Sequence, residues 1–274
     1  MKKVRFRFSL LLGLIGIFSL ACIITLPPKP PAETQAPPPP PPVETQAPLS
    51  QDTPTPLPPS TPEPLPTPTP EEAPAFFTDE FDVVTDFWSY FIINGVQEKN
   101  QLVENPQDEP KVSVHIEDGF MKFGIDKNYQ YVYVTYDPYT YTDVRVDVRA
   151  ENRGVNNNNV SIICRYTEEG WYEFNIANNG LYWIYYAQMK PSKQVSYALI
   201  ANGGSNKIRM GKDVNEYTAI CKGRTLQLFI NGYEVKTLTD NRYALREGQV
   251  GVSVSSFNVL PVQVDIDWVK VSQP

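Results

Sequence analysis

The segment NNVSIICRYTEEGWYEFNI, residues 158–176, decides the fold class of this chain. It contains two runs in which apolar and polar residues alternate, which is typical of a β-hairpin. The residues that share the apolar faces of the two strands are Ile162, Cys164, Tyr166, Tyr172, Phe174 and Ile176. The opposite faces carry a cation, an indole, a carboxylate and an amide, at Arg165, Trp171, Glu173 and Asn175. If the apolar rows fill a core, we expect these four side chains to meet on one outer surface.

Similar short runs continue on both sides of this hairpin. Val144, Val146 and Val148 alternate with charged residues, and Asn231-Gly232 joins two further runs with a dipeptide typical of tight hairpin turns. No stretch has the period of an amphipathic helix. The sequence therefore predicts an all-β domain over residues 75–274, built as an antiparallel sandwich or barrel.

The amino terminus resembles an export signal. Four basic residues within the first seven precede the apolar run FSLLLGLIGIFSLA. Ser19-Leu20-Ala21-Cys22 then resembles the lipobox of bacterial lipoproteins, so residues 1–22 are interpreted as a signal peptide with Cys22 lipidated. The alternative is an uncleaved membrane anchor from Phe8 to Leu26. Both interpretations place the protein outside the cytoplasm, attached to the membrane of the cell envelope.

Residues 23–74 are interpreted as a disordered linker. Twenty-one of the chain's 27 prolines lie between Pro27 and Pro74, mixed with Thr, Glu, Gln and Ala. This composition favours extended polyproline II and cannot form a packed core. We expect a stalk that holds the β-domain away from the envelope.

Cys164 and Cys221 are the two cysteines outside the signal, and both lie on apolar faces of predicted strands. In an oxidising compartment, such a pair suggests a disulfide bond. Two buried free thiols remain the alternative.

Charge and composition argue against several classes of partner. The net charge is −7 with no basic stripe, which argues against nucleic acid. His115, the single histidine, has no nucleophile motif to serve and is interpreted as a surface residue. No spacing indicates a transition-metal site or another cofactor, although Asp79, Glu80, Asp82 and Asp267 could supply oxygen ligands to calcium.

The order of motifs resembles that of the concanavalin A-like jelly rolls. Asn159 precedes Arg165, Tyr172-Glu173 follows, and Gly248-Gln249-Val250-Gly251 comes near the end of the chain. The sequence is most similar to the group of 3-keto-disaccharide hydrolase or family 16 glycoside hydrolase-like domains, over roughly residues 76–271. The resemblance implies two packed antiparallel sheets, one of them concave, with sugars bound on the concave face.

The resemblance also implies a set of site residues. It places an Arg, a Tyr-Glu pair and an amide at Arg165, Tyr172-Glu173 and Asn175. We add aromatic rings that could stack on pyranose faces. The resulting ligand-binding set is Asn159, Arg165, Trp171, Glu173, Asn175, Trp183 and Tyr185.

Three functions follow as hypotheses. The first is a surface-tethered domain that binds glycans on its concave sheet. The second is hydrolysis of 3-keto or otherwise modified glycosides, with Glu173 as acid or base and Arg165 orienting the substrate. The chain lacks the Glu-x-Asp-x-x-Glu triad of endoglucanases, because Lys270 stands where the third acid would follow Asp265 and Asp267. The third is a structural or adhesive domain that binds protein.

Overall fold

A computed structural model describes residues 73–274. The proposed signal, Cys22 and nearly all of the linker lie outside the described residues. Within this range the chain forms sixteen strands: β1 Phe77–Asp79, β2 Trp88–Asn94, β3 Gln101–Leu102, β4 Val112–Glu117, β5 Phe120–Ile125, β6 Gln130–Tyr141, β7 Val144–Asn152, β8 Asn158–Thr167, β9 Gly170–Ala177, β10 Leu181–Met189, β11 Val195–Gly204, β12 Val214–Lys222, β13 Thr225–Ile230, β14 Tyr233–Thr239, β15 Gly248–Ser256 and β16 Val262–Ser272.

Helical structure in the same range is confined to two single-turn 3₁₀ helices, Val96–Glu98 and Pro106–Asp108. Accordingly, none of the helices between residues 73 and 274 is long and apolar enough to cross a bilayer. The prediction of an all-β, antiparallel domain is confirmed.

The strands form two antiparallel sheets of eight strands each. The back sheet has the order β14-β13-β12-β7-β16-β5-β4, with β1 added to β16. The second sheet, which we call the cleft sheet, has the order β11-β10-β9-β8-β15-β6-β2-β3. Neighbouring strands in each sheet are often far apart in sequence, so each sheet is held together by long-range strand pairing.

The main core lies between the two sheets. It contains Val146 and Leu228 from the back sheet and Ile162, Phe174 and Val252 from the cleft sheet, all fully buried. Val146, Ile162 and Phe174 belong to the alternating rows predicted from the sequence. Burial of apolar surface at ~25 cal/mol per Å² is the main force that holds two such faces together.

A disulfide bond joins the two sheets through this core. Cys164 on β8 is bonded to Cys221 on β12, with Cα atoms 6.7 Å apart and a sequence separation of 57 residues. The predicted disulfide is confirmed, and such bonds are typical of oxidising, extracytoplasmic compartments.

The central hairpin departs from regular alternation at one point. Cys164 pairs with Tyr172 and Thr167 pairs with Gly170, so Arg165 and Tyr166 together face one residue of β9. This is a β-bulge, and Arg165 takes a left-handed φ of 54° within it. Because of the extra residue, the predicted faces of Arg165 and Tyr166 are both wrong.

Candidate functional site

A cleft of about 1190 Å³ lies on the face of the cleft sheet that points away from the main core. Five of the seven predicted ligand-binding residues line it: Asn159, Glu173, Asn175, Trp183 and Tyr185. They come from three neighbouring strands, β8, β9 and β10, on which alternate residues face the same way. The regular pleat of the hairpin therefore positions these side chains.

Glu173 is the most densely hydrogen-bonded side chain in the cleft. Its Oε1 accepts hydrogen bonds from Ser161 Oγ at 2.9 Å and Asn175 Nδ2 at 2.9 Å. Its Oε2 accepts from Tyr133 Oη at 2.8 Å and Trp171 Nε1 at 3.4 Å. A buried carboxylate needs such partners, and Glu173 is only 2% exposed. The four donors fix the carboxylate within the floor of the cleft.

An amide chain extends this network along β8 and β9. Asn175 Nδ2 also donates to Ser161 Oγ at 2.9 Å, and Asn159 Nδ2 donates to Asn175 Oδ1 at 2.5 Å. Asn159 and Ser161 lie on β8, so the hydrogen bonds run across the β8–β9 pair. The side chains along this row are held in fixed positions before any ligand arrives.

Tyrosine hydroxyls surround the carboxylate. The Tyr133 hydroxyl group donates its proton to Glu173. Tyr197 is therefore the donor in its hydrogen bond to Tyr133 Oη, at 2.9 Å. Burial, and then the negative charge of Glu173, raises the pKa of Tyr185 to about 12. The same causes raise the pKa of Tyr133 and of Tyr197 well above the ordinary value. These phenols therefore remain neutral hydroxyl groups at physiological pH.

Arg165 does not reach the cleft, so the prediction that it shares a hollow with Glu173 is wrong. Its guanidinium donates to the carbonyl oxygens of Thr142, at 2.9 and 3.1 Å, and of Leu245, at 2.6 Å. Leu245 also donates its N–H to Tyr172 Oη at 3.0 Å. The bulge places the Arg165 side chain on the same face of the sheet as Tyr172. Burial there lowers the pKa of the Arg165 guanidinium. Arg165 thus ties loops to the sandwich.

Trp171 lies on the expected face but is fully buried, so the prediction of an exposed stacking ring is wrong. Its ring packs edge-on against Phe91 and Tyr133, at centroid distances of 5.8 and 5.2 Å. With Ile93, Ile163, Ala187 and Val195, these rings form a second apolar cluster, which we call the inner cluster. Trp171 contributes its indole N–H to Glu173 and its ring to packing.

Several residues of the cleft were missed by the sequence analysis. Tyr131 and Tyr133 alternate with the core residues Val132 and Val134, and this alternation could have identified them. Tyr197 comes from an edge strand with a weaker pattern. The lining also contains nine asparagines and two glutamines, which are Asn100, Asn156, Asn157, Asn158, Asn159, Asn175, Asn178, Asn179, Asn258, Gln97 and Gln194.

Two of the four acidic residues considered as calcium ligands, Asp79 and Asp267, have other partners. Asp79 accepts a hydrogen bond from Trp88 Nε1 at 2.8 Å, and Asp267 pairs with Arg149 at 2.7 Å. Across residues 73–274, no three His, Cys, Asp or Glu side chains lie together in a way that could hold a metal ion.

No protein-family model matches the sequence, and no curated protein matches it either. Solved structures do match. A family 16 glycoside hydrolase of a Bacteroides ovatus mixed-linkage glucan locus, solved with a G4G4G3G product, has a TM-score of 0.53 and 11% identity, covering 72% of this chain and 99% of its own. A Bacillus subtilis protein of unknown function with a galectin-like fold has a TM-score of 0.52 and 9% identity, covering 72% and 94%.

A third match comes from a study of endo-acting O-glycanases of the human gut microbiota. It has a TM-score of 0.51 and 13% identity, and it covers 72% of this chain and 98% of its own. At such low identities the matches establish architecture alone. The chain therefore has the concanavalin A-like jelly-roll fold that the family 16 glycoside hydrolases also have.

Proposed function

We propose that this protein binds neutral glycans in the cleft. The observation that carries the proposal is the composition of the lining, in which uncharged amides and aromatic rings predominate and the charged residues are Glu98, Lys99, Glu173 and Lys190. Amides and phenols offer both donors and acceptors, which sugar hydroxyl groups require. A neutral ligand rich in hydroxyl groups fits this lining best.

Aromatic rings supply the second part of the recognition. Trp183 and Tyr185 are partly exposed and line the cleft on β10. The faces of pyranose rings carry C–H groups, and burial of these groups against an aromatic face is favourable in water. We infer that Trp183 stacks on a sugar ring while neighbouring amides bind its hydroxyl groups.

The solved structures with this fold are consistent with such a ligand. The Bacteroides ovatus enzyme was solved with an oligosaccharide product, so one protein of this architecture holds a sugar chain. The architecture offers a curved sheet with an outer face that is free of the core, and here that face carries the cleft.

The arrangement favours binding over hydrolysis. Four protein groups already donate hydrogen bonds to the Glu173 carboxylate. Most glycoside hydrolases need a second carboxyl group about 5–10 Å away, placed on the other side of the scissile bond. Glu98 is the other acid in the lining, and it is exposed on the 3₁₀ helix at the rim.

Replacement of the stacking ring tests the proposal. We expect Trp183→Ala to weaken glycan affinity by about tenfold or more, because one buried aromatic contact contributes roughly 1–3 kcal/mol. Titration calorimetry with a glycan selected from an array measures the change. Tyr233→Ala is the matched control, because Tyr233 is an exposed ring on the back sheet. Equal affinities of the wild type and Trp183→Ala would overturn the proposed role of the cleft.

We further propose that the domain is tethered to the cell envelope. The proposal rests on the lipobox-like Ser19-Leu20-Ala21-Cys22 and on the proline-rich residues 23–74. Incorporation of a labelled fatty acid by the wild type, lost in Cys22→Ala, is the expected result. A label that persists in the variant would contradict lipidation at Cys22.

A further inference from the structure

The two edge strands of the cleft sheet meet each other. The N–H of Leu102, on β3, donates to the carbonyl oxygen of Lys193 at 2.9 Å, and the N–H of Val195, on β11, donates to that of Asn100 at 2.8 Å. Gln101 adds a side-chain hydrogen bond to the carbonyl of Ser192 at 3.2 Å. These contacts, which we call the edge bridge, join the first and last strands of an eight-stranded order. The sheet is thus curled until its edges touch.

The edge bridge is itself a wall of the cleft. Asn100, Gln194 and Val195 take part in the bridge and also line the cleft. A sugar chain that lies across the strands of an open concave sheet extends beyond the sheet at both edge strands. Here the two edge strands are hydrogen-bonded to each other, so a chain cannot extend past them at the edge bridge. A polymer therefore has no continuous route across the sheet where the bridge lies.

The cleft is also closed at one end of the strands. On β9, Trp171 belongs to the inner cluster, whereas Glu173 and Asn175 line the cleft. On β10, Ala187 belongs to the cluster, whereas Tyr185 lines the cleft. On both strands the apolar side chains therefore fill the same end of the curled sheet. The polar residues of the cleft on these two strands lie toward the other end.

Resting on the proposed function, we propose that the cleft receives the end of a glycan chain and does not bind internal segments. A pocket closed by the edge bridge and the inner cluster admits a chain only with its terminus leading. The volume of about 1190 Å³ slightly exceeds the ~300–1,000 Å³ of typical small-ligand pockets. It therefore suits a short terminal oligosaccharide whose remaining units extend into solvent through the mouth.

Counting binding sites on polymers tests this inference. The full-length protein is titrated with soluble linear glucans, mannans, xylans and galactans, and the polymer that binds is then partly cut by an endo-acting enzyme. Binding to chain ends predicts that the number of proteins bound per gram rises by the same factor as the number of chain ends. Oligosaccharides of the same sugar, blocked at either the reducing or the non-reducing end, identify the end that enters. We expect one of the two blocks to abolish binding.

The results distinguish failure of the chain-end inference from failure of glycan binding itself. More proteins bound per intact polymer than it has ends would overturn the inference and leave glycan binding in place. Undiminished binding of both end-blocked oligosaccharides would do the same. Binding to none of the four polymers or their oligosaccharides would overturn the proposed function, and the inference would fall with it.

Discussion

At the scale of single residues, Arg165 is a structural residue despite its motif position. It is 1% exposed, and its guanidinium binds backbone carbonyls of two loops. We expect Arg165→Ala to lower the free energy of unfolding by about 2–4 kcal/mol, because charged hydrogen bonds to buried acceptors are lost. Urea unfolding measures the change, and Arg149→Ala, at an exposed ion pair, is the control. If Arg165→Ala kept the stability of the wild type but bound glycan more weakly, Arg165 would be a ligand-binding residue and the structural role would be wrong.

Glu173 gives a second prediction at this scale. In Glu173→Gln, an amide NH₂ group replaces one carboxylate oxygen and lies against groups that now donate hydrogen bonds to Glu173. One of these groups, Trp171 Nε1, is only a donor and cannot accept a hydrogen bond from the new amide. We expect a loss of about 1–3 kcal/mol in unfolding free energy, together with weaker glycan binding. Glu216→Gln, at an exposed carboxylate of the back sheet, should change stability by less than ~0.5 kcal/mol. Similar stabilities of the two variants would contradict the account of the network.

The sequence could predict individual side chains only where the pleat is regular. Glu173, Asn175, Trp183 and Tyr185 line the cleft as alternation predicts. Arg165 does not, because one extra residue in β8 leaves no trace in a pattern of period two. Alternation also assigned Trp171 to its face but not its burial, which depends on rings from other parts of the chain.

At the scale of elements, the hairpins were the most predictable feature. Asn231 and Gly232 both have positive φ, 50° and 79°, as the Asn-Gly pair between two apolar runs predicts. The edge bridge was unpredictable, since β3 has two residues and its contact with β11 has no local signal. Short, distant pairings of this kind follow from how far a sheet curls.

The disulfide between β8 and β12 gives the prediction for elements. We expect Cys164→Ala/Cys221→Ala to lose about 2–4 kcal/mol of unfolding free energy, because the bond restricts the unfolded chain. Glycan affinity should persist, since both sulfur atoms lie in the main core and not in the cleft. Unfolding of the wild type with and without a reductant measures the same difference. Equal stability under both conditions would contradict this role of the bond.

At the scale of the whole molecule, buried tyrosines couple stability to alkaline pH. Burial raises the pKa of Tyr136 and of Tyr185 to about 12, and it raises the pKa of Tyr217 further. A phenol whose pKa is higher in the folded state holds its proton more tightly there than in the unfolded chain. The contribution of such a phenol to the free energy of unfolding is complete below its pKa in the unfolded chain, ~10. This contribution is lost as the pH rises from there through the pKa in the folded state.

We therefore expect the free energy of unfolding to fall as pH increases above ~10. Tyr217 provides the test, because burial alone raises its pKa and Phe has nearly the same shape. Tyr217→Phe should reduce the fall measured by urea unfolding between neutral and alkaline pH. Identical slopes for Tyr217→Phe and the wild type would exclude Tyr217 as a source of the pH dependence.

The bond between Cys164 and Cys221 has a mechanical consequence for the tethered domain that we propose. At ~3.4 Å for each extended residue, the separation of 57 residues corresponds to roughly 190 Å of chain. A force that draws the polypeptide out from its ends cannot extend this length while the bond is intact. Strands β9 and β10, which carry Glu173 and Trp183, lie inside the protected loop. Load that peels away the outer strands would therefore stop short of the segment that carries these two residues.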